Sequence, residues 1–342
     1  MNRLTPLILA LLLVLSLAAC GGDDEAETGA DGKITVYSGR EEELVAPLFA
    51  RFTEETGIEV DVRYGDSAEL AATIAEEGGN SPADVFFAQD AGTLGAVAER
   101  GLLGELPDAL LDRVDARFRD PDGRWVGTSG RARVVAYNTD AVEESELPRS
   151  VFGFVEPRWK GKIGLPPTNA SFQAFVTAMR LTEGEARTRA WLEGVMANDP
   201  KFYEKNLPVL EALAAGEIEV GLVNHYYLYL LKEEQPDAPV ANHFLGGGDP
   251  GALVNVAGAG VLSSSEKQEA ARRFVEFLLS DEGQRFYGEE AEEAEYPLVE
   301  GIQPRAGLPP LDEIDGPDIR LERLGHELER TLELLNELGY TS

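Results

Sequence analysis

Two adjacent tyrosines are the residues in this sequence whose types and spacing could do chemistry. Asn224 and His225 come directly before Tyr226 and Tyr227. The apolar run 220–223 predicts a short strand, and the leucine spacing beyond it predicts a helix that begins near Asn224. Neighbouring side chains point about 100° apart in a helix and to opposite faces in a strand. The two phenols therefore converge best where a loop enters a helix.

Two phenol oxygens side by side could bind a metal ion. A hard, highly charged cation such as Fe(III) prefers anionic oxygen donors. A free tyrosine has a pKa of about 10, but a bound cation can hold the phenolate at neutral pH. Tyrosines also bury well with the hydroxyl at a wet edge, so aromatic packing is the alternative interpretation of this pair.

The elements that must position these tyrosines begin at Lys33. Apolar runs at 34–38, 58–64 and 85–87 predict strands, and helical patterns follow each of them. This alternation predicts an α/β lobe with a largely parallel sheet. Ligands of such sheets bind beyond the carboxyl ends of the strands, where Glu41 and Gln89 stand in this sequence.

A second lobe is predicted from two further strands. Residues 132–137 read as an apolar strand that crosses from the first lobe, and residues 254–262 read as a strand that returns to it. Between them, Asn169, Ala170 and Ser171 open a predicted helix. Small polar residues at a helix start can bind an anion because free N–H groups point outward there, although capping alone also explains them.

Composition limits the possible functions. The chain has 342 residues with 43% hydrophobic content, enough for a two-lobed fold. A net charge of −32 disfavours nucleic-acid binding, which requires a basic face. The sequence contains neither a Gly-x-Ser-x-Gly nor a His-Glu-x-x-His motif, and its one cysteine is Cys20. We therefore predict that the protein is not an enzyme.

The N-terminus predicts export and lipidation. Arg3 precedes the apolar stretch 7–15, which is too short to span a membrane comfortably. Residues 17–20 (Leu-Ala-Ala-Cys) resemble a bacterial lipobox, in which Cys20 becomes the lipidated first residue after cleavage. We predict a signal peptide over 1–20, a flexible tether over 21–32, and an extracytoplasmic protein anchored to the cell membrane. An ordinary signal peptide with an incidental cysteine is the alternative.

Six stretches together resemble the ferric-ion-binding proteins of bacterial iron ABC transporters. They are residues 34–40, 82–90, 129–131, 159–164, 224–227 and 249–253. The resemblance extends from Lys33 to about Gly301. It implies a two-lobed periplasmic-binding-protein fold of type II, with two crossover strands, that closes on Fe(III). The lobes implied are 33–131 with 256–303, and 132–255 with 304–342.

The resemblance also implies roles for individual residues. Tyr226 and Tyr227 match the paired iron ligands of the family. Glu41 and Gln89 stand where many members have His and Glu, so Glu41 offers a carboxylate and Gln89 a neutral amide. A synergistic anion, phosphate or carbonate, completes the metal shell in the family. Its cradle maps to Asn169, Ala170, Ser171, Asn206 and Asn224, with Arg131 as support.

The family implies delivery of iron to an ABC permease and its ATPase by a monomeric protein. The alternative is a binding protein of the same fold for an organic solute such as a polyamine, thiamine or a phosphonate. Such ligands call for aromatic or carboxylate cages rather than two phenolates beside an anion cradle.

Overall fold

The chain forms a mixed α/β structure around one connected sheet of ten strands. The structure is a computed structural model, and it describes residues 32–290 and 294–341. The predicted signal peptide, Cys20 and the tether up to residue 31 lie outside the described residues, so these predictions stay untested.

The strands and helices are as follows. The strands are β1 (Lys33–Ser38), β2 (Glu59–Tyr64), β3 (Val85–Ala88), β4 (Val126–Asn138), β5 (Ile163–Leu165), β6 (Lys201–Phe202), β7 (Val220–Asn224), β8 (Val240–His243), β9 (Val254–Val261) and β10 (Tyr296–Pro297). The α-helices are α1 (Glu42–Thr56), α2 (Ser67–Glu77), α3 (Ala91–Glu99), α4 (Asp108–Leu111), α5 (Ala170–Glu183), α6 (Glu185–Ala197), α7 (Asn206–Ala214), α8 (Tyr227–Glu234), α9 (Gln268–Leu278), α10 (Asp281–Arg285), α11 (Arg323–His326) and α12 (Leu328–Glu337).

The predicted α/β class is confirmed, but the first lobe's sheet is mixed rather than largely parallel. β1 pairs in parallel with β2 and β3. β9 pairs antiparallel with β3 and with β4. The prediction was wrong on this point because β9, the strand that returns from the other lobe, runs opposite to its neighbours β3 and β4.

β4 joins the two halves of the sheet. Its residues 126–132 pair with β9, and its residues 133–137 pair with β7. β9 then lies wholly beside β3 and the first part of β4. β4 and β9 are therefore the two crossover strands, and the predicted type II architecture is confirmed.

β4 is longer than the predicted strand at 132–137. It begins at Val126 and includes the small and polar stretch 127–131, all of which is buried. β9 lies on one side of this stretch, and β10 pairs with it at Ser129 and Gly130. Strand neighbours on both sides, rather than apolar side chains, hold it in the sheet, so hydrophobic periodicity missed it.

The C-terminal tail contacts helices of both predicted lobes. α11 packs on α3 so closely that a Cβ on Gly92 would lie 2.6 Å from the backbone nitrogen of Gly325. α12 packs on α5, where the Oγ1 atoms of Thr331 and Thr177 are 2.7 Å apart. The lobe boundaries stay a prediction, and the tail touches both sides of them. In the part of the chain that the structure describes, no helix is both long and apolar enough to cross a bilayer.

Candidate functional site

A cleft of about 1070 Å³ opens where strand ends from both halves of the sheet meet. It is lined by nearly all the residues that the sequence predicted for a site. These residues are Glu41, Gln89, Arg131, Asn169, Ala170, Ser171, Asn224, Tyr226 and Tyr227.

The two tyrosines converge as predicted, at a loop-to-helix junction. β7 ends at Asn224, and Tyr226 occupies the N-cap position of α8. The rings of Tyr226 and Tyr227 are stacked, with centroids 4.3 Å apart and planes 29° from parallel. Tyr226 is 4% exposed and Tyr227 is half-buried. The structure brings both phenols to one place on the cleft wall.

His225 holds this junction in place through hydrogen bonds at both of its ring nitrogens. Its Nδ1 accepts a hydrogen bond from the Ala132 amide at 3.1 Å, so Nε2 carries the proton and donates to the Ala294 carbonyl at 3.0 Å. Burial lowers the pKa of His225 to about 4, which keeps the ring neutral at pH 7. The ring also meets Tyr226 edge-on, with centroids 5.8 Å apart.

Four of the residues predicted for an anion site lie together at the start of α5. The Asn169 Oδ1 caps the helix by accepting from the Ser171 amide at 3.0 Å and from the Ser171 Oγ at 2.6 Å. Asn206, which is 1% exposed, donates its Nδ2 to the Asn169 Oδ1 at 3.2 Å and to the Ser171 Oγ at 3.3 Å. Ala170 is the first residue of the helix, where backbone N–H groups have no partner within the helix.

Arg133 belongs to this cluster, and the sequence reasoning missed it. Its Nη1 donates to the Ser171 Oγ at 3.1 Å and to the Asn224 Oδ1 at 3.3 Å. Its Nη2 donates to the Leu222 carbonyl at 2.7 Å. The available signal was a charged residue inside the otherwise apolar run 132–137.

Arg133 places a positive charge beside the two phenols. Burial lowers the pKa of Arg133 to about 9, while Tyr227 and Tyr226 act in the opposite direction. The guanidinium therefore stays charged at neutral pH. A buried cation next to two ionisable phenols and a helix start suits anions at this wall of the cleft.

The opposite wall carries Glu41 and Gln89 at two strand ends. Glu41 is exposed and occupies the N-cap position of α1 without a side-chain capping bond. The backbone amide of Gln89 donates a hydrogen bond to the Ser67 Oγ at 2.9 Å. A Cβ on Gly39 would lie 1.9 Å from that same Oγ, so only glycine lets the chain beyond β1 approach the start of α2 this closely.

Arg131 belongs to the first lobe's side of the cleft rather than to the α5 cluster. Its guanidinium donates to the Gln89 carbonyl and lies 3.7 Å, Nε to Oε1, from Glu295. The crossing of β4 explains the difference, because Arg131 pairs with β9 whereas Arg133 pairs with β7. Among the described residues, no three His, Cys, Asp or Glu side chains are grouped so that they could hold a metal ion.

Several known proteins similar to this chain are named for iron binding. A sequence profile described as "Bacterial extracellular solute-binding protein" matches residues 80–307. The "Major ferric iron-binding protein" of Neisseria meningitidis serogroup B is 36% identical over 318 residues, which cover 92% of this chain and 95% of that protein. The "Fe(3+)-binding periplasmic protein" of Serratia marcescens is 32% identical, and the match covers 98% of each chain.

A solved structure agrees with these relatives. Iron-bound HitA from Pseudomonas aeruginosa superposes with a TM-score of 0.81 at 36% identity, covering 90% of this chain and 99% of that one. These names describe binding proteins, in agreement with the prediction that the chain is not an enzyme. From the extent and identity of these matches, the chain belongs to the bacterial extracellular solute-binding proteins, in the family of periplasmic ferric iron-binding proteins.

Proposed function

We propose that this protein captures Fe(III) in the cleft, with Tyr226 and Tyr227 as phenolate ligands. The observation that carries the proposal is the stacked pair of phenols beside the charged Arg133. Phenolate oxygens suit a hard trivalent cation, and the attraction between a guanidinium and phenolates favours the ionised ligands. The similar proteins from Neisseria and Serratia are named for the same ion.

The opposite wall supplies the remaining protein ligands in this proposal. Glu41 contributes a carboxylate, which is a harder and more negative donor than an imidazole. Gln89 contributes a neutral amide and is the weaker partner. Because these residues and the tyrosines lie on different lobes, iron draws the lobes together and shifts the population toward a closed form.

A synergistic anion, phosphate or carbonate, occupies the start of α5. Asn169, Ala170 and Ser171 surround that position, with Asn206 and Asn224 close behind. Arg133, rather than Arg131, is the guanidinium that reaches this cluster. Helix N-termini with an adjacent arginine bind small oxyanions through backbone N–H groups and charge-assisted hydrogen bonds.

The protein delivers its iron to the permease and ATPase of an ABC transporter. It acts outside the cytoplasm, as members of this family do, and we propose that it works as a monomer anchored through a lipid on Cys20. Mass spectrometry of the mature protein checks the anchor. A diacylated Cys20 at the N-terminus is expected, and a product cleaved elsewhere with Cys20 absent or unmodified contradicts it.

The test of the function is a titration of the purified protein with a ferric salt in the presence of phosphate or carbonate. We expect one equivalent of iron to be taken up with a visible charge-transfer band, because tyrosinate bound to Fe(III) absorbs visible light. Small-angle scattering should show a smaller radius of gyration at saturation. A protein that stays colourless and binds no iron under these conditions contradicts the proposal.

A further inference from the structure

Three consecutive residues, Ala294, Glu295 and Tyr296, contact elements behind both walls of the cleft. Tyr296 begins β10, which pairs with the crossover strand β4. We propose that Glu295 is a positioning residue for iron capture, because its buried carboxylate sets the placement of the two cleft walls. This inference rests on the proposed function and concerns a residue that binds neither iron nor the anion.

The Glu295 side chain contacts several buried residues on the first lobe's side of the cleft. It is 1% exposed, and its Oε1 accepts from the Arg40 Nη1 at 3.0 Å. The same Oε1 lies 3.7 Å from the Arg131 Nε, and Oε2 accepts from the Ser129 Oγ at 2.5 Å. One carboxylate therefore anchors two buried arginines, Arg40 just beyond the end of β1 and Arg131 within β4.

Each of these arginines is linked to one of the proposed iron ligands on that wall. Arg40 is the residue before Glu41. Arg131 donates to the backbone carbonyl of Gln89. Movement of either guanidinium away from Glu295 would shift the backbone that carries one of these side chains.

The neighbours of Glu295 reach the other wall. The Ala294 carbonyl accepts from the His225 Nε2 at 3.0 Å, and the rings of Tyr296 and His225 have centroids 4.9 Å apart. His225 directly precedes Tyr226. A segment of three residues is thus linked to the turn that carries the phenols through His225, to the loop of Glu41 through Arg40, and to the Gln89 carbonyl through Arg131.

Charge gives Glu295 a second effect on the metal. With its carboxylate, the buried group of Arg40, Arg131 and Glu295 has one net positive charge, and without it the group has two. A more positive site beside the cleft repels a trivalent cation, and this repulsion is weakly screened because the group is buried. Loss of the carboxylate should therefore weaken iron binding through both position and charge.

Asp84 provides the matched control for a role limited to stability. It is also a buried carboxylate, 4% exposed, and it accepts from the Lys267 Nζ at 3.1 Å and from the Ser265 Oγ at 2.6 Å. It precedes β3, at the opposite end of that strand from Gln89. Asp84→Asn should lower thermal stability without changing the cleft.

The experiment compares wild type, Glu295→Gln, Glu295→Asp and Asp84→Asn, each loaded with ferric iron and phosphate and then challenged with citrate at neutral pH. Circular dichroism at the assay temperature establishes that each protein is folded. We expect Glu295→Gln to retain iron at least about tenfold more weakly than wild type, and Asp84→Asn to stay within about twofold. The band position in Glu295→Gln should match wild type, since both phenols still bind the metal. Iron retention by Glu295→Asp, which keeps the charge but is one methylene shorter, should lie between that of wild type and that of Glu295→Gln.

Folded Glu295→Gln that retains iron as well as wild type overturns the inference and leaves the proposed function standing. If Glu295→Gln is not recovered folded, Glu295→Asp decides, and retention equal to wild type overturns the inference. An equally large loss in Asp84→Asn also overturns it, because general destabilisation would then be sufficient. Wild type that takes up no iron overturns the proposed function itself.

Discussion

The guanidinium of Arg133 donates a hydrogen bond to the Ser171 Oγ at 3.1 Å and so connects the crossover strand β4 to the first turn of α5. The same guanidinium bonds to Asn224, two residues before Tyr226. Arg133 thereby joins the proposed anion position to the proposed metal ligands. An anion bound at α5 would share a positive neighbour with the phenolates, which is a physical basis for synergy between anion and metal.

Arg133→Gln should reduce the benefit that phosphate or carbonate gives to iron binding. The variant removes a charged donor beside Ser171 and Asn224, and we expect iron retention in phosphate to fall by at least about tenfold, roughly 1.4 kcal/mol. Competition with citrate, measured with and without phosphate, checks this. Arg180→Gln is the control, because Arg180 is a largely buried arginine in the last turn of α5, away from Ser171, and pairs with Glu185 instead. If phosphate strengthens iron retention equally in Arg133→Gln and wild type, Arg133 has no part in the anion site.

Glu41→Ala should weaken iron retention much more than Gln89→Ala. A carboxylate supplies negative charge to a trivalent cation, whereas a primary amide does not, so we expect at least about a tenfold loss for Glu41→Ala. Glu54→Ala removes one exposed carboxylate from the same helix α1 and controls for net charge. Equal iron affinity in Glu41→Ala and wild type would mean that this lobe contributes water or the anion alone.

Glu295 should make the thermal stability of the protein depend on pH in the acid range. Burial by itself would raise the pKa of the Glu295 carboxyl, but Arg40 and Arg131 together with hydrogen bonds lower it below its ordinary value of 4.5. Tyr287 and His225 also face this carboxylate. The pKa of Glu295 is therefore lower in the folded protein than in the unfolded chain. As a result, the carboxylate contributes stability above about pH 4.5, and this stability is lost as the pH falls.

This prediction is checked by measuring the melting temperatures of wild type and Glu295→Gln from neutral pH into acid. The variant should melt well below wild type at neutral pH, since breaking a buried ion pair costs about 3–5 kcal/mol. The gap should narrow in acid as the wild-type carboxylate becomes protonated. A gap that is constant from neutral pH into acid would contradict this account of Glu295.

The sequence predicted those parts of the site that depend on local pattern. Tyr226 and Tyr227 are adjacent in sequence and sit at a helix start, and Asn169 and Ser171 are within one helical turn. The two residues of each pair are close in space because they belong to the same local element. Glu41 was predicted to lie at the cleft because it follows the carboxyl end of β1, and ligands of α/β sheets bind beyond the carboxyl ends of the strands.

The residues missed by sequence reasoning are those whose role depends on distant partners. Arg133 stands in an apolar strand and meets Ser171, which is 38 positions away. Glu295 stands in the acidic stretch 289–295, which has the composition of a solvated surface, yet its carboxylate bonds to Arg40 at a separation of 255 positions. Burial of a single acid within a charged run is a tertiary effect that local periodicity does not contain.

The most direct test of the central claim is the visible spectrum of iron-loaded Tyr226→Phe and Tyr227→Phe, with Tyr229→Phe as the control. Each of the first two changes removes one hydroxyl and keeps the ring, so the stacked pair and the fold should persist while a ligand is lost. We predict that each loses most of the charge-transfer absorption and much of its bound iron, and that Tyr229→Phe, a tyrosine of the same helix α8, keeps both. Full colour and one equivalent of iron in both Tyr226→Phe and Tyr227→Phe would show that these phenols are not the metal ligands.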